Sequence, residues 1–165
     1  MRTTVGRATL IATENYSSDG SSGWVTVMRD GKQIFRVDTG MASPVTSLRG
    51  LWTYDDHWVL ETAYITQDST GGRLSRDGAA LNTSHGYEDA FNFKLLHRRP
   101  FYFFKKDSNI GFSFDGKDTL AGYDEIPHYG CCSESELNPR TAQNLVAFFA
   151  RRGGAWYYIE IGVFN

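Results

Sequence analysis

The 165-residue chain is 41% hydrophobic and 15% aromatic, with 17 Gly and only 4 Pro. It is long enough to bury roughly two thirds of its unfolded surface without disulfide or metal staples, in strands joined by tight turns. Seventeen basic against nineteen acidic residues leave a net charge of -2. No basic stripe follows the chain, so nucleic acid is not an expected partner, and Arg98-Arg99 and Arg151-Arg152 read as solvated turns.

Met1 to Ala12 carries only the apolar run Ala8 to Ala12, too short for a signal-peptide core or a membrane span. A soluble chain without a membrane partner is therefore expected, cytoplasmic, or secreted if a leader has been removed. Arg7 to Thr13 is a predicted first strand, and Asn15 to Gly23, rich in Ser, Gly and Asp, a mobile exposed loop. Two triplets, Asn15-Tyr16-Ser17 and Asn82-Thr83-Ser84, match the loose N-glycosylation pattern.

From Trp24 onward a hairpin pattern recurs at Val25 to Gly40, Phe101 to Gly116 and Leu145 to Gly162. Each copy runs alternating strand, turn with basic or Asp/Gly residues, alternating strand, then an acid. Asp38, Asp115 and Glu160 fall at matching places and are expected to accept hydrogen bonds from turn amides. A looser hairpin spans Leu51 to Tyr54 and Trp58 to Ile65 around Asp55-Asp56-His57, and another joins Phe91 to Leu95 with Phe101 to Phe104. A shorter echo relates Ser75-Arg76-Asp77-Gly78 to Ser113-Phe114-Asp115-Gly116. Near Asn138-Pro139 a helix start competes with a strand, and the expectation is a short helical turn over 139–144 followed by a strand. The fold class is thus all-β: repeated antiparallel hairpins in a single domain over 1–165, arranged like a small or partial β-propeller, with a β-barrel or β-sandwich as alternatives.

The densest polar run is Tyr123-Asp124-Glu125-Ile126-Pro127-His128-Tyr129-Gly130-Cys131-Cys132, continuing to Glu134 and Glu136. It lacks periodicity and reads as an ordered loop, where functional groups concentrate. Cys131 or Cys132 with His128 has the composition of a nucleophile and its base, because an adjacent imidazolium lowers a thiol pKa. Zinc is disfavoured: vicinal cysteines do not have the spacing of a closed site, and His57, His85 and His97 lie on separate turns. No metal and no cofactor is expected. Adjacent carboxylates such as Asp124-Glu125 or Asp55-Asp56 point to opposite faces of an extended chain, so neither pair supplies two glycosidase acids by itself.

Aromatics are in surplus, with Trp52, His57 and Trp58 around one turn and Trp156-Tyr157-Tyr158 consecutive on the last strand. The leading expectation is a non-catalytic module binding a protein, peptide or carbohydrate through Tyr123, Asp124, Glu125, His128, Tyr129, Trp52, His57 and Trp58. The alternative is a hydrolase using a Cys/His or carboxylate pair. No motif is strong enough to assign a family.

Overall fold

The computed structural model describes residues 1–43, 45–129 and 138–163. Backbone contacts divide the chain into two compact units, Met1–His85 and Gly86–Asn165, each with its own apolar core. Among the described residues no helix is long and apolar enough to cross a membrane.

The first unit holds β1 (Arg2–Val5), β2 (Ala8–Tyr16), β3 (Gly23–Arg29), β4 (Lys32–Gly40), β5 (Leu48–Tyr54), β6 (His57–Ile65), β7 (Thr70–Arg76) and β8 (Ala79–Ala80). A five-residue helix α1 (Leu81–His85) follows. β1 to β4 form one antiparallel meander and β5 to β8 a second. Among the described residues one parallel pair, Gly40 with Ile65, joins them in the sheet. The second unit continues with a meander of β9 (Asp89–Leu96), β10 (Arg99–Lys106), β11 (Asn109–Phe114) and β12 (Lys117–Tyr123). A three-stranded sheet of β13 (Arg140–Thr141), β14 (Leu145–Arg152) and β15 (Ala155–Gly162) completes it. The all-β expectation holds, and among the described residues no sheet closes into a barrel.

All three hairpins expected from sequence are present, at β3–β4, β10–β11 and β14–β15, but the repeat is phased differently. The recurring unit is the four-stranded meander, and its mark is the turn between third and fourth strands: Asp30-Gly31, Asp77-Gly78 and Asp115-Gly116. In each, the Asp takes positive φ, which its short polar side chain tolerates, and Gly takes the next left-handed position. The Asp amide then donates across to the start of the second strand, from Asp30 to the Thr9 carbonyl (3.0 Å), Asp77 to Trp58 (3.0 Å) and Asp115 to Pro100 (2.9 Å). The carboxylates of Asp30 and Asp77 accept the return bond from the Thr9 and Trp58 amides at 2.8 and 3.0 Å. Pro100 has no amide to give, and Asp115 instead meets Arg99 at 3.2 Å. Asp115 therefore corresponds to Asp30 and Asp77. Asp38 and Glu160 sit within strands, paired with Arg36 and the Tyr158 hydroxyl, and among the described residues neither they nor Asp115 accepts from a turn amide.

Three further expectations change. Arg2–Val5 forms β1, a strand missed because its only turn signal is Gly6-Arg7. The loop is narrower than Asn15 to Gly23: Asn15 and Tyr16 pair with Trp24 and Gly23, and Gly23 is buried. Ser18 to Ser22 are exposed, and Asp19 accepts bonds from the Ser17 and Ser21 side chains that hold its carboxyl down at about 2. Pro139–Asn144 is no helical turn: β13 lies within it and pairs with β14.

Strand alternation builds the cores. In β3, Val25 and Val27 point inward against Leu10, Leu51, Leu60 and Trp58, with Phe35 packed on Trp58 at 5.7 Å. In β10, Phe101 and Phe103 enter the core with Phe91, Ile126 and Phe148, while Tyr102 and Phe104 are buried on the opposite face with Tyr87. Glu14 ties the segment leading into β5 to β2. Burial alone would raise its pKa, but bonds from Thr46, Tyr16 and Ser47 more than offset that and hold the carboxyl low.

A carboxyl held low stabilises the fold above its unfolded value, and the contribution is lost as pH falls through the folded value. Glu14→Gln is expected to lower stability by about 1 kcal/mol at neutral pH after allowance for solvent screening. Urea titrations should show the deficit shrinking as pH falls below 4.5, the ordinary value for a glutamate. Gly40 has φ +80 and leaves no room for a Cβ, which would lie 2.0 Å from the Ile65 carbonyl oxygen, whereas Gly31 has φ +83 in open space. Gly31→Ala is expected to cost about 1 kcal/mol from backbone strain alone. Gly40→Ala should cost distinctly more in the same denaturant titration.

Candidate functional site

The run singled out from sequence leaves β12 at Tyr123 and is stitched onto β14. The amides of Asp124 and Glu125 both donate to the Arg151 carbonyl, at 2.8 and 3.4 Å, and the Arg151 amide donates back to the Glu125 carbonyl at 2.8 Å. The Glu125 carboxylate pairs with the Arg151 guanidinium at 3.1 Å. Ile126 is buried in the core.

His128 lies flat on Phe91, ring centroids 3.5 Å apart, with Tyr129 edge-on at 4.8 Å. Its Nδ1 faces the Ile126 carbonyl at 2.7 Å and its Nε2 the Asp89 carboxylate at 3.2 Å. Each nitrogen thus faces an acceptor within the chain, and a neutral ring can donate to only one of them. Cys131 and Cys132 lie outside the described residues. Among the described residues no three His, Cys, Asp or Glu side chains gather as a metal site requires.

The second predicted cluster lies on the β5–β6 hairpin, with Trp52 opposite Val59 and Trp58 opposite Thr53. Trp58 is buried in the first core, 6% exposed, and offers no surface to a ligand. His57 is half-exposed and bonds Asp77 at 2.6 Å. The Trp52 ring lies over Gly50, where an added Cβ would come within 1.7 Å of the indole.

The exposed aromatic surface is on the last hairpin. Phe149 on β14 and Trp156, Tyr157 and Tyr158 on β15 are 50–59% exposed. Phe149 and Tyr158 are directly opposite in register, rings 5.3 Å apart, and Trp156 is opposite Arg151. Tyr123, Arg152, Gly153, Tyr157, Tyr158 and Ile159 line an open cleft of about 550 Å³ at this end of the hairpin. Burial raises the Tyr123 pKa, partly offset by the positive charge of Arg152. The Tyr158 hydroxyl donates to Glu160 at 2.9 Å, a bond that raises its own pKa.

The scaffold of this hairpin depends on Asn138. Its Oδ1 accepts from the Phe149 amide at 2.7 Å while its Nδ2 donates to the carbonyls of Phe149 (3.2 Å) and Pro127 (2.8 Å). The side-chain amide thereby replaces one residue of a neighbouring strand where β13 has ended. Sequence reasoning placed Asn138 as a helix cap, and the signal missed is that a primary amide carries the donor and acceptor of a peptide group. Asn82 does the same in the first unit, accepting from Leu74 and donating to Gly72, both at 3.0 Å.

The fold and this surface define an all-β protein of antiparallel meanders with an exposed aromatic hairpin. Comparison with protein-family models, curated proteins and solved structures finds no match to the chain. Asn138→Ala should destabilise the second unit by about 2 kcal/mol, from the bonds lost to Phe149. Chemical denaturation monitored by tryptophan emission reads this, with Asn138→Asp intermediate because only the acceptor survives.

Proposed function

We propose that this chain is a non-catalytic recognition module that takes a polypeptide partner on the aromatic surface of its last hairpin. One observation carries the reading: Phe149, Trp156, Tyr157 and Tyr158 are all at least half open to solvent on one hairpin, beside Arg151 and Arg152. Trp, Tyr and Arg are the side chains that dominate binding energy at protein interfaces, because they offer large contact area and hydrogen bonding at little entropic cost. Tyr158 and Glu160, bonded to each other beside the rings, also suit a carbohydrate, whose hydroxyls need such polar groups next to an aromatic platform. This surface takes the place of the Trp52, His57 and Trp58 cluster, while Tyr123 keeps its place as a wall of the cleft.

The hydrolase alternative draws less support. Both His128 nitrogens face acceptors within the chain, and Glu125 is tied to Arg151. The propeller-like reading rests on three successive four-stranded meanders that share one turn chemistry, as blades do.

Panning a phage-displayed random peptide library and a panel of soluble oligosaccharides against the whole chain tests the proposal. Peptides selected on the parent protein should lose about tenfold or more in affinity for Trp156→Ala. Selected ligands indifferent to Trp156→Ala and Tyr157→Ala, or binders drawn only from the oligosaccharides, would overturn it.

A further inference from the structure

The free edge of β15 differs from the other terminal sheet edges among the described residues. β8 and β13 are two residues long and are continued by the amides of Asn82 and Asn138. β1 has four residues including Arg2, and β12 carries Lys117 and Asp118 with a register break opposite Ile110 and Gly111. β9 is broken at Asn92, which has positive φ, and β5 shifts register between Leu48 and Gly50. Short length, charge and bulges are the usual means of preventing one edge from pairing with another. β15 is neither short nor bulged: it has eight residues in unbroken register, without Lys, Arg or Pro, and Glu160 is its one charged side chain.

The direction of its backbone groups follows from β14. The amide and carbonyl of Arg151 are used by Glu125, and those of Phe149 by Asn138, so neither residue exchanges bonds with β15. Their opposites, Trp156 and Tyr158, therefore turn their own N–H and C=O away from β14, as does Glu160 by alternation. Among the described residues nothing pairs with that row.

We infer that β15 pairs antiparallel with β15 of a second copy of this chain, joining two three-stranded sheets into one of six about a twofold axis at Tyr158. This register overlaps nearly the whole strand. It sets Trp156 opposite the partner's Glu160 and Tyr157 opposite the partner's Ile159. Arg151, directly across from Trp156, then lies in the same row as the partner's Glu160, with opposite charge. Moving the axis to Glu160 would bring two carboxylates face to face, which disfavours that register. A twofold contact of this kind needs a self-complementary strand, and β15 is one. Only the backbone edge is consumed, so the aromatic faces stay open and two of them are brought side by side. The inference does not rest on the recognition reading.

Sedimentation equilibrium of the whole chain across a wide concentration range tests it. The parent protein should show a concentration-dependent dimer, with slowed amide hydrogen exchange at Trp156, Tyr158 and Glu160. On a twofold axis any charge meets its own copy, so Tyr158→Lys and Tyr158→Asp should each be monomeric with unchanged far-ultraviolet spectra. An equimolar mixture of the two variants should recover the dimer. A parent protein that stays monomeric at the highest concentration, variants that dimerise as the parent does, or a mixture that stays monomeric would each overturn the pairing. Peptide binding lost in Trp156→Ala with dimerisation intact, or the converse, separates this outcome from that of the recognition proposal.

Discussion

The bond between a turn aspartate and the start of an earlier strand is the constraint on which the meanders depend. A two-residue turn with left-handed backbone fixes the pairing of third and fourth strands but says nothing of the second. By returning an amide, and in two cases a carboxylate, to Thr9, Trp58 or Pro100, the aspartate locks three strands into one register. With side chains alternating every residue, a slip by one would turn Val25 and Val27, or Phe101 and Phe103, out of their cores. The apolar pattern and the turn chemistry thus specify the same alignment. Where proline removes the donor, Arg99 supplies a substitute.

Much of the architecture was legible because it is written locally. Asp-Gly pairs between alternating apolar runs gave the hairpins, and most strand boundaries fall near their expected positions. The phase of the repeat was not legible, because β3–β4 and β10–β11 look alike as strings although one closes a meander and the other sits in its middle. β1 was missed for want of a strong turn, and the helix expected after Asn138 failed because capping and strand mimicry use the same amide. Of the site, the order of Tyr123 to Tyr129 was readable from its lack of period. Its attachment to Arg151 and Phe91 joins residues far apart in sequence, and no local pattern carries it.

The two surfaces of the last hairpin divide the possible roles of its residues. Core-facing Ile159 and Ile161 continue the second core. Trp156 and Tyr158 combine exposed rings with outward-directed backbone, so one residue presents both a face and an edge. Face contacts select side chains, whereas edge contacts are largely indifferent to sequence. A strand offering both can therefore assemble through its backbone and discriminate through its rings.

Asn138 brings in a matter of chemical ageing. Asparagine residues decay when the backbone nitrogen of the following residue attacks the side-chain amide, closing a succinimide ring that opens to aspartate or isoaspartate. The residue that follows is Pro139, whose ring nitrogen carries no hydrogen and cannot complete that closure. The amide that holds β14 in place is thereby protected by its own neighbour from the commonest route of spontaneous loss, and the hairpin it supports should keep its geometry as the protein grows old.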